Sequence, residues 1–524
     1  MKFFGKKDTD MTQGNVYSQI LYFAVPMMLG LLFQQLYNTV DTWVVGKFVS
    51  KNALAAVGCN GPVINTVVGA FAGLATGASV VISQAYGAHD NQRLSRAVHT
   101  TMAITLILCL VGTAVGLLLA KPLLLITKPA PAVVQSVPTD EIAEAAESDP
   151  ESLTGLFEAG DETASELPTA EEITQAETET EAAASSEAPT ENTEEEDMEE
   201  VFELAEQYLL IYFAGLSGLL IYNMGTGILR AVGDSTRPLY YLVASAVSNT
   251  VLDLLFVLVF HWGVAGVALA TIIAEAFSSV LVLRALMKTD AAYGFRIKEL
   301  CLDREIIKST LRLGLPSSIQ SAVTAFSNVF VQKYINALGS VGMAGWTAYN
   351  KLDAFLIVPV MAISMAATTF VGQCWGAKKP ERAREGVRKS MILSLAVTLS
   401  LAIIVVLLAG PLMGLFTNDD RVLEYGKFFV MVISPFYVMI CFNQIYAGVL
   451  RGIGIATAPT VVMLGSFVVF RQIYLYIFSQ LLHGGRLIIA LAYPLGWVVC
   501  SALLIVLYLR SPLVRQKEEL QAAG

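Results

Sequence analysis

The 524-residue sequence is poor in charge, because only 15% of its residues are Asp, Glu, Lys or Arg. An average soluble domain has about 25%. A soluble protein of this length needs a polar surface that so few charges do not supply, which excludes an ordinary cytosolic enzyme, a nucleic-acid-binding protein and a secreted disulfide scaffold. Apolar residues make up 55% of the chain, and the mean hydropathy is +0.60. This composition indicates a protein that lies mostly within a lipid bilayer.

Motifs of catalytic and metal-binding chemistry are also missing. The six cysteines are scattered without a CxxC pair, so buried free thiols are expected rather than a metal or redox site. None of the four histidines lies in an HExxH motif, and no GxSxG motif occurs. Without a Walker A pattern, ATP is not expected to drive this chain directly. The sequence therefore predicts no enzyme activity, no catalytic residue, no metal and no cofactor.

Twelve apolar stretches are long enough to be transmembrane helices, since about 20 residues cross a hydrocarbon core of about 30 Å. Their approximate limits are 17–45, 53–83, 97–126, 203–229, 238–260, 263–286, 308–336, 343–371, 390–415, 424–449, 457–482 and 486–509. The predicted fold class is therefore an all-α polytopic membrane protein with twelve transmembrane helices in two six-helix, pseudo-symmetric lobes.

The charges predict how these helices are oriented. One set of loops, together with both termini, holds 24 of the 34 Lys and Arg residues, and positive loops face the cytoplasm. Both termini are therefore predicted to be cytoplasmic in a multi-pass protein of the plasma membrane. Residues 131–200 hold 23 of the 44 acidic residues and no basic one, which predicts a flexible extracellular insert with short helices near 141–147 and 194–206. A cation-attracting or partner-binding arm is the alternative for this insert.

The two halves of the chain repeat each other. Pro26 and Asn38 match Pro316 and Asn328 at a shift of 290 residues. The other matched segments are Gln84–Ala88 with Gln373–Ala377 and Gly227–Gly233 with Gly448–Gly454. Repeats of six spans keep the same orientation, and transporters of this kind place the substrate between the repeats. The predicted organisation is an N-terminus (1–16), an N-lobe (17–286) interrupted by the insert (129–202), a linker (287–307), a C-lobe (308–509) and a tail (510–524).

Acidic residues inside the predicted spans are the candidates for function. An ionised carboxylate near the middle of a bilayer costs about 2.5–3.5 kcal/mol, yet Asp41, Asp253 and Glu275 lie there. Asn249 and Thr271 each lie four residues before one of these acids and therefore share its helix face. A proton- or sodium-binding cluster is one interpretation, and polar contacts that join helices are the other. The C-lobe has Val331 and Tyr474 where the N-lobe has Asp41 and Asp253, so ion coupling is assigned to the N-lobe.

The repeated body, Pro26, the Asn38–Gly46 stretch with Asp41, Gln84–Ala88 and Arg230–Pro238 resemble the MATE (multidrug and toxic compound extrusion) family of secondary antiporters. The resemblance implies export of organic cations or amphipathic compounds in exchange for protons or sodium. Asp41, Asn249, Asp253 and Thr271 are similar to the cation site of the family's DinF-like branch. The residues that would support this site are Asn38, Tyr208, Tyr212 and Glu275, and either tyrosine could be the family's site tyrosine.

The cargo is expected to occupy a cavity lined by apolar and aromatic residues of both lobes. The candidates for its lining are Phe33, Gln34, Tyr37, Gln320 and Tyr349. The expected partners are small organic substrates and the lipid bilayer, without nucleic acid, and the protein is expected to be a monomer. A lipid-linked sugar flippase of the same superfamily is a rival function, but it needs several Arg or Lys in its cavity, and the candidates for cations within the membrane are few, namely Lys351 and Arg471. A receptor or scaffold that uses the acidic loop is the second rival.

Overall fold

The computed structural model describes residues 10–127, 191–417, 419–482 and 485–515. These described residues form helices and contain no strand. The helices are α1 (Val16–Phe48), α2 (Lys51–Gly87), α3 (Asn91–Thr127), α4 (Glu191–Ala214), α5 (Leu216–Ala231), α6 (Thr236–Leu254), α7 (Gly263–Met287), α8 (Arg304–Asn336), α9 (Gly339–Gly376), α10 (Pro380–Leu407), α11 (Ala409–Gly414), α12 (Asp420–Ile433), α13 (Tyr437–Gly452), α14 (Thr457–Leu464), α15 (Arg471–Leu475) and α16 (Arg486–Leu509). We refer to α1–α7 as the N-lobe helices and to α8–α16 as the C-lobe helices.

Polar caps fix where several of the long helices begin. The side chain of Asn15 accepts a hydrogen bond from the Ser18 amide before α1, and Ser50 Oγ accepts one from the Ala53 amide before α2. Asp303 accepts two backbone N–H groups at the start of α8. Such caps satisfy amides that have no partner within the helix. The helices themselves run to 33–38 residues in α1, α2, α8 and α9, longer than the about 20 residues that a bilayer requires.

Ten helices of the described residues are long and apolar enough to cross a membrane, and the bent pair α4–α5 makes an eleventh. The pair bends by 50° around Gly215, where an added Cβ would lie 2.3 Å from the Ile272 side chain. The predicted span 308–336 is the helix α8, which is long enough but begins with several charged residues and is less apolar than these ten helices. The protein is therefore an all-α polytopic membrane protein.

Part of the predicted insert is helical. Helix α4 begins at Glu191, within the predicted insert (129–202), and this confirms the helix expected near 194–206. The remaining stretch of the insert, including the helix predicted near 141–147, lies outside the described residues.

Glycines allow the lobes to touch backbone to backbone. An added Cβ on Gly73 of α2 would lie 2.3 Å from the Ser318 amide nitrogen of α8, and one on Gly77 would lie 2.4 Å from that of Gly314. No side chain larger than hydrogen fits at such distances. The small-residue spacing of α2 therefore serves close packing between the two repeats.

The repeated glutamine motifs join the lobes symmetrically. Gln84 Nε2 donates to the Gly452 carbonyl oxygen at 2.8 Å, and Gln373 Nε2 donates to the Ala231 carbonyl oxygen at 2.9 Å. Each glutamine thus caps the last turn of a helix in the opposite lobe, α13 or α5. We call these two hydrogen bonds the glutamine latch.

Helix α1 belongs to both lobes. Near its start, Ile20 and Phe23 are fully buried in a core formed mainly by C-lobe residues, whereas Val44 and Val45 near its end lie in an N-lobe core. The segment before the helix is also bound to the C-lobe, because the Met11 amide donates to Gln373 Oε1 at 2.9 Å. Movement between the lobes would therefore act directly on α1, which carries Asp41.

Candidate functional site

Three N-lobe helices bring the predicted acidic residues together. Asp41 comes from α1, Asp253 from α6 and Glu275 from α7. The carboxyl groups of Asp41 and Asp253 lie against each other. Asn249, one helical turn before Asp253, is buried on the same face of α6, and both side chains have an exposed fraction of 0%. The structure thus joins residues that are more than 200 positions apart in sequence.

Hydroxyl groups surround these acids. Tyr37 lies beside Asp41 and Thr271, and Tyr208 also lies beside Thr271. The ring of Tyr212 stacks on that of Tyr208 with centroids 6.3 Å apart, close to Glu275. Both tyrosines considered from the sequence are therefore near the acids, with Tyr208 next to Thr271. We call this set the N-lobe acidic cluster, and its members are Tyr37, Asp41, Tyr208, Tyr212, Asn249, Asp253, Thr271 and Glu275.

The oxygen atoms of this cluster have few partners within the protein. Buried atoms without a hydrogen bond in the described structure include Oδ1 of Asp41, both carboxyl oxygens of Asp253 and Oε2 of Glu275. The side-chain oxygen and nitrogen of Asn249 are unpaired as well. A buried polar atom without a partner costs about 1–3 kcal/mol, and more when it is charged. The arrangement therefore provides oxygen acceptors that a proton or a hard cation would satisfy.

Helix α6 changes its hydrogen-bonding pattern directly after these residues. Leu255–Val259 continue the helix as a π-helix, beginning two positions after Asp253. The wider i→i+5 turn occurs often at functional sites. It places a local irregularity of the backbone beside the acid pair.

The residues predicted to line the cargo cavity are not all in one place. Gln34 and Tyr37 line an N-lobe cavity of about 150 Å³ together with Glu275. Gln320 accepts a hydrogen bond from Thr460 at 3.4 Å in the C-lobe. The remaining candidates lie apart from that cavity: Phe33 is 39% exposed, Tyr349 is buried in the C-lobe core, and the supporting residue Asn38 is exposed.

The C-lobe buries an acid in a different way. Asp353 Oδ1 accepts a hydrogen bond from Tyr349 at 3.2 Å and another from Tyr437. The two tyrosine hydroxyls are also 3.0 Å apart. Lys351, two residues away, is exposed, and no ion pair between it and Asp353 occurs among the described residues. Asp353 is therefore held by neutral donors.

Two arginines that the sequence did not predict as site residues line a cavity. Arg230 and Arg451 belong to the 24 Lys and Arg residues that the charge distribution assigned to the cytoplasmic side, but both line a cavity of about 270 Å³ between the lobes. They occupy matching positions in the repeats, each in the last turn of its helix. That repetition was the signal that could have identified them, whereas a tally of charges treats them as ordinary helix ends.

Comparison with known proteins decides the family. The family model MatE matches residues 26–138, 193–255 and 316–477, which is more than half of the chain. The chain belongs to the MATE family. MATE proteins are membrane transporters, so this is a multi-pass membrane protein of a family of transporters rather than of enzymes.

Relatives and solved structures both match nearly the whole length of this chain. The probable multidrug resistance protein YpnP of Bacillus subtilis is 25% identical over 90% of this chain and 91% of its own. Multidrug export protein MepA of Staphylococcus aureus is 21% identical over 96% of each chain. A structure described as the outward-facing conformation of a multidrug resistance MATE family transporter superposes with a TM-score of 0.78 at 22% identity, covering 98% of this chain and 99% of the other. That likeness supports the fold over the whole described chain.

Proposed function

We propose that this MATE protein exports amphipathic or cationic organic compounds in exchange for protons or sodium ions, by alternating access of its two lobes. The observation that carries the proposal is the N-lobe acidic cluster, in which Asp41 and Asp253 face each other and three of their four carboxyl oxygens have no hydrogen-bond partner in the described structure. Two ionised carboxylates cannot remain in contact without a proton or a cation between them. The relatives named as multidrug resistance and export proteins support the type of cargo.

Exchange of the ion for the cargo follows because both compete for the negative charge of the N-lobe. When a proton or sodium ion occupies the pair Asp41–Asp253, the negative charge that would attract a cationic cargo is reduced. When the ion leaves, the charge returns. A single charge that enters along the membrane potential supplies about 2.3 kcal/mol per 100 mV, which drives export of an uncharged amphipathic cargo. A monovalent cationic cargo that leaves costs the same amount, so its export is driven by the concentration gradient of the coupling ion. This site assignment is the one expected for the DinF-like branch of the family.

Movement between the lobes links the site to the two sides of the membrane. The glutamine latch and the glycine contacts of α2 close the lobes against each other near Arg93 and Lys378, on the side that the charge distribution assigns to the cytoplasm. Opening this side requires the latch hydrogen bonds to break. Because α1 spans both cores, its position would change with that opening and would carry Asp41 with it.

The central experiment is ethidium efflux from proteoliposomes with an imposed pH or sodium gradient. We expect Asp41→Asn to abolish gradient-driven efflux, because an amide carries no charge to exchange. Asp353→Asn is the matched control, since it neutralises a buried acid of the C-lobe that already has hydrogen-bond donors. We expect this control to retain coupled efflux, provided that it is reconstituted in equal amount.

Unchanged coupled efflux in Asp41→Asn would remove the N-lobe acidic cluster from the mechanism. Comparison of the two gradients identifies the coupling ion, because only the ion that is exchanged drives ethidium out of the vesicles. A failure of both variants to reconstitute is recognised by size-exclusion chromatography before transport is measured.

A further inference from the structure

The cavity between the lobes differs from the N-lobe acidic cluster in the sign of its charge. Its volume is about 270 Å³, and both lobes line it. Helices α2 and α5 contribute from the N-lobe, and α9 and α13 contribute from the C-lobe. The polar residues of its lining are Thr76, Ser79, Ser83, Arg230, Ser364, Thr368, Thr369, Gln444 and Arg451. The lining thus contains two cations and no acid.

Few groups of the protein balance the positive charge of the two guanidinium groups. Arg230 donates from Nε to the Thr226 carbonyl oxygen at 3.2 Å and from Nη2 to Thr226 Oγ1 at 3.4 Å, both within its own helix. Arg451 Nε is buried without a hydrogen-bond partner. Among the described residues, no carboxylate forms an ion pair with either arginine. Arg230 also borders the N-lobe cavity that contains Glu275, but these two side chains are not paired either.

The hydroxyl groups of the cavity carry no negative charge that could balance the arginines, and the protons of several of them are used within the protein. Ser79 Oγ donates to the Gly227 carbonyl oxygen at 2.8 Å, and Ser364 Oγ donates to the Gln444 carbonyl oxygen at 2.7 Å. Since these protons are engaged, the guanidinium N–H groups are the charged donors that remain for the cavity. An arginine cannot become neutral in a protein, and both of these residues are half-buried, so an anion in the cavity would stabilise them.

We propose that this cavity binds an oxyanion of the phosphate type between Arg230 and Arg451. A guanidinium group matches phosphate because its planar set of donors forms paired, charge-assisted hydrogen bonds. Because one arginine comes from each lobe, a bound oxyanion would also hold the lobes together beside the glutamine latch. The site is separate from ion coupling at Asp41, since binding requires neither a gradient nor a cargo.

The test is the thermal stability of the purified full-length protein in detergent, measured against inorganic phosphate at constant ionic strength with chloride as the reference salt. A ligand that binds only the folded state raises Tm in a concentration-dependent, saturable manner. We expect this rise in the wild type and a loss of at least about tenfold in apparent phosphate affinity in Arg230→Gln and in Arg451→Gln. Arg451→Lys should retain part of the effect, because it keeps the charge without the planar donors.

Arg471→Gln is the matched control, because Arg471 is a buried arginine outside this cavity with protein acceptors of its own. Its phosphate response should equal that of the wild type. A second arm places the protein in nanodiscs of phosphatidylcholine with or without phosphatidic acid. If a lipid headgroup is the source of the phosphate, stabilisation by phosphatidic acid will depend on Arg230 and Arg451.

Two results would overturn the proposal. One is the absence of any saturable effect of phosphate and of phosphatidic acid on the wild type. The other is an effect that remains unchanged in both glutamine variants, which would place anion binding elsewhere. Because neither measurement uses transport, its outcome is independent of the result with Asp41→Asn.

Discussion

The two lobes bury acidic residues under opposite conditions. In the N-lobe, Asp41 and Asp253 face each other and leave three carboxyl oxygens without a protein partner. In the C-lobe, Asp353 accepts hydrogen bonds from Tyr349 and Tyr437. A carboxyl group that the protein already satisfies has little need of an external ion, whereas one with unpaired oxygens gains from one. The duplicated body thus has an acid pair with unpaired oxygens in one lobe and a satisfied polar network in the other.

Matching positions of the repeats show the same contrast. Asn38 of the N-lobe corresponds to Asn328, whose side-chain oxygen accepts a hydrogen bond from Arg471 Nη2 at 2.9 Å. Val331 and Tyr474 occupy the positions that match Asp41 and Asp253. In this region the C-lobe therefore contains a cation of its own, the guanidinium group of Arg471. The N-lobe has an acid pair instead, which takes its cation from solution in the function that we propose.

The largest predicted effect comes from the acid pair itself. Asp253→Asn should abolish gradient-driven ethidium efflux as completely as Asp41→Asn, because the two carboxyl groups share one cation. The double variant should then be no worse than either single variant, since residues that act as a unit are not additive. The measurement is the initial rate of coupled efflux in proteoliposomes, with Asp353→Asn as the control. Residual coupling in both single variants, lost only in the double variant, would show instead that the acids act independently.

A smaller and different effect is predicted for the C-lobe. Arg471→Gln removes hydrogen bonds to Ser327 and Asn328 and the stacking of the guanidinium group over Tyr493, 4.8 Å from the ring centroid. Hydrogen bonds to charged groups contribute about 1.5–3 kcal/mol, so we expect a lower Tm in detergent. The coupling ion and the gradient dependence of efflux should not change. Loss of coupling at full stability would mean that the C-lobe also carries the exchanged ion.

The apolar stretches of the sequence and the free-energy cost of charges within a bilayer predicted much of this arrangement. The apolar stretches predicted the positions of most helices, since each must bury its backbone hydrogen bonds in lipid. Asp41, Asp253 and Glu275 were identified because acids are expensive within a bilayer, and the i, i+4 spacing placed Asn249 and Thr271 on the faces of these acids. That Asp41 touches Asp253 required the packing of α1 against α6, which no local pattern specifies.

Contacts between distant segments account for what the sequence did not show. The partners of Asp353 include Tyr437, 84 positions away, and the glutamine latch joins residues 368 and 142 positions apart. Arg230 and Arg451 were interpreted as loop charges because each ends a helix, and only the closure of the lobes places them around one cavity. The predicted lining residues Gln320 and Tyr349 lie in the C-lobe, and their role in cargo binding stays a prediction.

The most direct test of the central claim is the release of the coupling ion when cargo binds. Ethidium is added to purified protein in weakly buffered detergent solution, and proton release is followed with a pH indicator while sodium release is followed with radioactive sodium. We predict that the wild type and Asp353→Asn release protons or sodium in a fixed ratio to bound ethidium, and that Asp41→Asn and Asp253→Asn release neither. Equal release from all four proteins would contradict the assignment of ion exchange to the N-lobe acidic cluster.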